Sequence, residues 1–308
     1  MKGTERRERA LAAAHETGGV LSRDALAGLG LTGDDVRHEV AAGRWRRHGL
    51  QTVAVHNGEL SVEAQRWRAV WETGPCVTAL DGVTALQVAG LRNYADEEVH
   101  VSVIHRCAVK HVAGTRLHKI IRRLPDELVG AGVPRTRPAV AALRAAYWAA
   151  SDRQAALVLL MTVQQRLTTP QQLLDCSARL RGRARRGFVG RVLLDIACGG
   201  QSLGELDFAR MCRVRGLPEP ARQVVRQGPH GRIYLDVRWN HCALVVEIDG
   251  AQHREGLQVS ADNLSRNALA LHGETVLRID LIGLRLHEDA FLEQVAAGLK
   301  QPIRRRSR

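Results

Sequence analysis

The run Cys242-Ala243-Leu244-Val245-Val246-Glu247-Ile248-Asp249-Gly250 leaves this 308-residue chain the least choice of fold. Residues 242–248 are almost unbroken apolar sequence, the pattern of a strand in the middle of a covered sheet. An ionised carboxylate at Glu247 would cost on the order of several kcal/mol there unless it is paired or bound to metal. The flanking sequence supplies the rest of a layered unit. A helix is predicted over 204–214 with Glu205 in its first turn, and a strand over 222–227. A second strand covers 232–239, where Ile233, Leu235, Val237 and Trp239 alternate with Tyr234, Asp236 and Arg238. Residues 254–272 read as a helix stopped by Gly273, 274–281 as a strand and 288–299 as a final helix. The order is α-β-β-β-α-β.

Reading Asn240-His241 as a two-residue turn between Trp239 and Cys242 sets the register. Asp236 then faces Val245, and Glu247 lies one diagonal step along the same face, about 7–8 Å away at the backbone. Asp249, two residues further, shares that face in an extended strand. A three-residue loop would instead turn Asp236 to the opposite face. Three converging acids offer oxygen ligands that suit Mg²⁺ or Mn²⁺ better than zinc. Such a cation polarises a phosphodiester, acidifies an attacking water and stabilises the leaving oxygen. In this reading Asp236 and Glu247 hold the metal, and Glu205 completes its shell or orients water. His253 acts as general acid/base or holds a phosphate, and Gln223 positions the nucleophile. The plainer alternative makes Asp249-Gly250 an ordinary turn and pairs Glu247 with Arg238, Arg266 or Arg278.

Charge points toward a polyanionic partner. The chain carries 45 Lys+Arg against 32 Asp+Glu, a formal net charge of +13, and neutralising phosphates releases condensed counterions. Only four of the basic residues are lysines. The N-terminal segment reads as a helix over 5–17 stopped by Gly18-Gly19, then a short helix over 23–29 capped by Ser22. A third helix over 34–42 follows, opened by Thr32 or Gly33. Arg44-Trp45-Arg46-Arg47-His48-Gly49-Leu50 then leads into a strand over 52–55. Short helices with glycine turns and a basic hairpin are the parts of a winged helix, with Arg37, Arg44, Arg46 and Arg47 as candidate DNA contacts. The alternative is a small helical packing module whose 44–47 run is a solvated turn.

The middle reads as helices over 62–73 and 79–91, strands over 99–104 and 115–121, and helices over 139–148, 152–163 and 171–180. A basic patch, 181–186, follows. It holds no catalytic constellation: nothing in the pattern fixes His100, His105, His111 and His118 on one face, so a metal role is not assigned to them. The N-terminus has no apolar core for a signal peptide, and no stretch reaches about 18 apolar residues. Six cysteines are scattered without a CxxC pair, which suits neither a zinc knuckle nor a disulfide framework. The reading is a soluble, cytoplasmic protein with no membrane partner.

At these residues the sequence resembles a known family. Residues 202–300 look like the very-short-patch-repair-like (Vsr-like) endonuclease domain, a branch of the PD-(D/E)XK nuclease superfamily. The matching pieces are Ser202-Leu203-Gly204-Glu205, Pro218-Glu219-Pro220 followed by Gln223, Tyr234-Leu235-Asp236, Val246-Glu247-Ile248-Asp249-Gly250-Ala251-Gln252-His253, Asp262 with Arg266, and Leu277-Arg278-Ile279. The resemblance implies a nuclease-type metal site at Glu205, Asp236 and Glu247, with Asp249 and His253 beside it. The superfamily's ExK lysine is missing, and Asp249 stands in its place. Phosphate activation would then fall to His253, Arg266 or a second cation. Residues 4–55 are similar to the N-terminal winged-helix domain of AbiEi-type antitoxins, and the segment from Ala79-Leu80 to Gly132-Val133-Pro134 to what joins these two domains.

The expectation is therefore an α/β multidomain chain. It has a winged helix over 1–60, a mixed α+β middle domain over 61–198, a restriction-endonuclease-like αβββαβ core over 199–300 and a basic tail over 301–308. The expected activity is Mg²⁺- or Mn²⁺-dependent DNA cleavage in defence or repair, with a homodimer if both strands are cut and a cognate toxin or defence partner. The competing expectation is a DNA-binding regulator or antitoxin-like protein whose nuclease fold is only a scaffold.

Overall fold

The computed structural model describes residues 3–180, 184–205, 208–227, 233–239, 242, 244–249 and 276–300; for 198–205, 222–227, 233–236 and 249 this extends to the backbone alone. The chain divides into two compact units, Met1–Ala141 and Ala142–Arg308. Among the described residues the architecture is mixed α/β with three separate sheets. Among the described residues no helix is long and apolar enough to cross a membrane.

The first unit opens with α1 (Gly3–Ala14), a 3₁₀ turn (His15–Thr17), β1 (Val20–Ser22), α2 (Arg23–Gly28), α3 (Gly33–Ala41), β2 (Arg46–Arg47) and β3 (Thr52–Ala54). The start of each short helix is specified locally. Ser22 Oγ accepts from Ala25 N at 3.1 Å and caps α2. Thr32 and Asp35 form a reciprocal capping box on α3, satisfying two amides that the helix leaves open. The predicted strand over 52–55 is present as the central strand β3, antiparallel to both β1 and β2. Trp45, 3% exposed, joins Leu26, Leu31, Val36 and Val53 in the core, so its neighbours Arg44 and Arg46 are left at the surface. β1 was not anticipated, because three residues are too few to show an alternation.

The same unit continues through α4 (Val62–Thr73), β4 (Ala79–Leu80), α5 (Gly82–Val88), β5 (Val99–Ile104), β6 (Thr115–Ile120), β7 (Leu128–Val129) and β8 (Arg135–Thr136). The strands form a sheet of order β6-β5-β4-β8-β7. The helix expected over 79–91 is corrected: Ala79 and Leu80 belong to a strand between β5 and β8. Asp81 makes the break. Its fully buried carboxylate accepts from Gly82 N and from Thr136 Oγ1, both at 2.8 Å, and so caps α5 while tying it to β8.

Next come α6 (Pro138–Trp148), α7 (Asp152–Gln164), α8 (Pro170–Arg179), α9 (Arg186–Glu205) and α10 (Phe208–Val214). Glu205 therefore ends a long helix instead of opening a short one, as the sequence pattern had placed it. The last sheet has β9 (Arg222–Gln227), β10 (Ile233–Arg238), β11 (Val245–Asp249) and β12 (Val276–Asp280), in the order β12-β11-β10-β9. β9, β10 and β11 are antiparallel neighbours, and β12 runs parallel to β11. One face packs on Phe208 and Cys212 of α10, Leu284 of α11 (Leu281–Leu286) and Phe291 and Val295 of α12 (Glu288–Leu299). α9 packs against β9, β10 and α11. Its Asp195, 3% exposed, accepts from Arg285 Nε at 3.2 Å, fastening α9 to α11.

Candidate functional site

Two observations correct the expected geometry around Glu247. The strand is not equally buried on its two faces. Val246 and Ile248 are fully buried, whereas the alternate residues Val245 and Glu247 are half-buried. The register also differs. Asp236 pairs directly with Glu247, and Tyr234 with Asp249. The connection is longer than a two-residue turn because Trp239, Cys242 and Leu244 all go into the core, and Trp239 Nε1 donates to Pro218 O at 2.8 Å. Pairing resumes only at Arg238 and Val245. The shift is two residues, an even number, so the positions keep their face. Asp236, Glu247 and Asp249 thus share the face that points away from the core. Directly opposed residues hold their Cβ atoms about 4.5–5.5 Å apart, closer than the diagonal placement expected.

Other positions on that face follow from the same register. Asp236 pairs with Val224 on its other side, Tyr234 with Arg226 and Arg238 with Arg222. On β12, Arg278 partners Glu247 and Asp280 partners Asp249. The face therefore mixes carboxylates with arginines. Arg278 Nε donates to Glu247 Oε2 at 3.3 Å, across side chains that are 70% and 33% exposed. This is one of the three arginine pairings that the plainer reading of Glu247 allowed. A pair so exposed contributes about 1 kcal/mol at most. Asp280 is buried and spends its carboxylate on Gly283 N at 2.6 Å, capping α11.

The remaining acids and their helpers divide. Gln223 pairs with the buried Val237, so it lies on the opposite face from Asp236 and Glu247 and is not brought to them. Glu205 lies at the C-terminal end of α9, where the helix dipole disfavours an added negative charge. His253, Arg266 and the helix expected over 254–272 lie outside the described residues. Oxygen donors on neighbouring strands fit a hard divalent cation by their chemistry. Among the described residues no group of three or more His, Cys, Asp and Glu forms a metal shell. The side chains of Glu205, Asp236 and Asp249 are outside that set.

In the first unit, Arg37 and Arg47 line one cleft of about 370 Å³ together with Arg23, Thr32 and Gly33. Arg37 also pairs with Asp34 one turn away. Arg44 and Arg46 are engaged elsewhere: Arg44 Nε donates to Glu39 Oε2 at 2.6 Å, and Arg46 sits 3.8 Å from Glu59. Arg23 was not singled out by the sequence, because its place beside Arg37 and Arg47 depends on how α2 packs. The hairpin tip is pinned by a carboxylate. Glu72 of α4 accepts from Leu50 N, Gln51 N, Thr52 N and Thr52 Oγ1, at 2.9, 2.7, 2.7 and 2.8 Å. Arg68 adds a bond from Nε to His48 O at 2.7 Å.

Two of the four middle-segment histidines meet. His118 Nε2 and His100 Nδ1 are 3.2 Å apart, and His100 Nε2 is 3.3 Å from Asp96 Oδ2. Burial pushes His118 down to about 3, helped by the adjacent His100 and Arg116, and burial also lowers His100. Both rings are neutral near pH 7 and tie β5 to β6.

No protein-family model matches the chain, and no curated protein matches it.

Proposed function

We propose that this chain is a divalent-metal-dependent DNA endonuclease, with a PD-(D/E)XK-type core in its C-terminal half and a winged helix at its N-terminus. The observation that carries the reading is the direct pairing of Asp236 with Glu247 on neighbouring strands of a mixed sheet, with Asp249 two residues further on. Asp236 and Glu247 would hold Mg²⁺ or Mn²⁺, with Asp249, two residues along β11, as the next oxygen donor. When bound, the cation supplies positive charge at a phosphate and acidifies a water. The sheet's order and directions, an antiparallel meander followed by a parallel strand, also suit such a core. The α-β-α-α-β-β order of residues 3–54, with its three-stranded antiparallel sheet, suits a winged helix. The formal charge of +13 supports a nucleic-acid partner.

The experiment is nicking of supercoiled DNA by the full chain with Mg²⁺, Mn²⁺ or EDTA. The wild type is expected to cut with either metal and not in EDTA, while Glu247→Gln binds DNA as before and does not cut. One observation favours a second reading, a DNA-binding regulator on a degenerate nuclease scaffold: Glu247 already has a cationic partner in Arg278. Under that reading the wild type binds DNA with a steep salt dependence and cuts in no metal.

A further inference from the structure

The first unit holds another cleft, which the nuclease reading does not use. It has a volume of about 370 Å³ and lies between the hairpin tip at Leu50, the end of α4 at 71–75 and the loop at 108–110. Side chains already described hold these three segments together. Glu72 takes four donors of the hairpin tip. Arg68 of α4 donates from Nε to His48 O and from Nη1 to Ala113 O, the latter at 3.2 Å. The walls are apolar, formed by Leu50, Trp71, Pro75 and Val109. Trp71 packs on Trp67 with ring centroids 5.1 Å apart, so its half-buried indole is fixed where it lines the cleft. A preformed apolar cleft with a few placed polar groups is the usual form of a small-ligand site.

The polar groups select the ligand. Thr73 is 4% exposed and lines the cleft, yet its hydroxyl has no hydrogen-bond partner among the described residues. A buried polar group left open costs stability unless something completes it. Beside it the last turn of α4 presents carbonyl oxygens and the negative end of the helix dipole, and Glu72 adds a carboxylate. The inner end thus suits N–H donors and repels an anion. Lys110, which is exposed, brings a positive charge to the rim. A flat ring with N–H groups, tied to a phosphate, meets all three requirements. We propose that this cleft takes one unpaired base of a bound DNA strand, with its ring against Trp71, its N–H groups toward Thr73 Oγ1 and the end of α4, and its phosphate at Lys110. This rests on the nucleic-acid partner of the reading above and not on the metal site.

The test uses the full chain in EDTA and the fluorescence anisotropy of three labelled duplexes: fully paired, with one bulged adenine, and with an abasic site at that bulge. The wild type is expected to bind the adenine bulge about 10- to 100-fold more tightly than the abasic one. Thr73→Val keeps the shape and removes the hydroxyl. Its preference for the base should fall by about three- to tenfold, while paired DNA binds as before and the melting temperature holds or rises. Lys110→Gln should weaken both bulged duplexes alike and lower their salt slope by about 1. Trp71→Leu should cost the preference about tenfold; if that variant does not fold, the Thr73→Val result decides. The inference is overturned if the wild type does not distinguish the adenine bulge from the abasic one, or if Thr73→Val keeps the full preference. A lower melting temperature in Thr73→Val also overturns it, since the hydroxyl would then be bonded within the fold. A free mononucleotide carries the same groups, and dAMP alone binding as tightly as the adenine bulge would overturn a site for bases within a strand. A wild type that binds none of the duplexes removes the nucleic-acid reading itself, whereas one that binds all three equally removes only this inference.

Discussion

Asp236 of β10 and Glu247 of β11 are direct cross-strand partners, with the fully buried Val237 and Val246 forming the next pair along the same ladder. Two carboxylates that share one cation act as a unit, and the loss of either removes the unit. Asp236→Asn, Glu247→Gln and the double variant are therefore expected to show the same residual nicking rate, within about threefold. Losses that multiply in the double variant would show that the two acids act separately.

The cleft shared by Arg23, Arg37 and Arg47 is expected to carry most of the N-terminal unit's phosphate contact. Each of Arg23→Ala and Arg47→Ala should weaken DNA binding and lower the slope of log K against log salt by about 1. Arg37→Ala, Arg44→Ala and Arg46→Ala should change the slope less, because Asp34, Glu39 and Glu59 already face those cations. Fluorescence anisotropy over a salt series measures this, and equal slopes for all five variants would contradict it.

Glu72 should prove a stability residue in spite of its polar character. Its carboxylate takes three amides and a hydroxyl of the hairpin tip, and a hydrogen bond to a charged group contributes about 1.5–3 kcal/mol net, non-additively when one carboxylate accepts several. Glu72→Ala is expected to destabilise the first unit by about 2–4 kcal/mol in urea melts. Gly49→Ala should act on the same contact, since a Cβ at that position would collide with the Glu72 carboxylate. A change below about 0.5 kcal/mol in Glu72→Ala would show that the clamp is incidental.

Acid should loosen the first unit through the histidine pair. The unfolded chain takes up protons on histidine near pH 6.5, whereas folded His118 resists until about pH 3 and His100 is lowered in the same direction. Below pH 6.5 the unfolded state thus binds more protons than the folded one. The stability from this pair is complete above pH 6.5 and is lost as pH falls toward 3, by on the order of 1–2 kcal/mol between pH 6.5 and 5. His118→Phe should flatten that slope; an unchanged slope would mean the pair does not titrate across unfolding.

How much of this was readable in advance varies by residue. The strand around Glu247 stood out because an acid between valines and an isoleucine breaks a run that burial otherwise explains. Its sharing of a face with Asp236 was legible even with the wrong turn, because the register error was even. Half-burial of the strand was not legible, since nothing local says whether a helix covers the second face. Glu205 was misplaced because Gly204 reads as a helix start, while α9 runs through Gly199, Gly200 and Gly204 regardless of propensity. Asp81 ends a strand in a segment whose apolar spacing reads as one helix, and its partner Thr136 is far away in sequence. The Glu72 clamp and the His100–His118 contact both depend on tertiary docking, which no local pattern carries.

The most direct test of the acid pair is a crystal of the full chain grown with Mn²⁺ and examined by anomalous scattering. The expected result is a peak between the Asp236 and Glu247 carboxylates, about 2–2.4 Å from an oxygen of each. Saturating Mn²⁺ with no peak there would contradict the account.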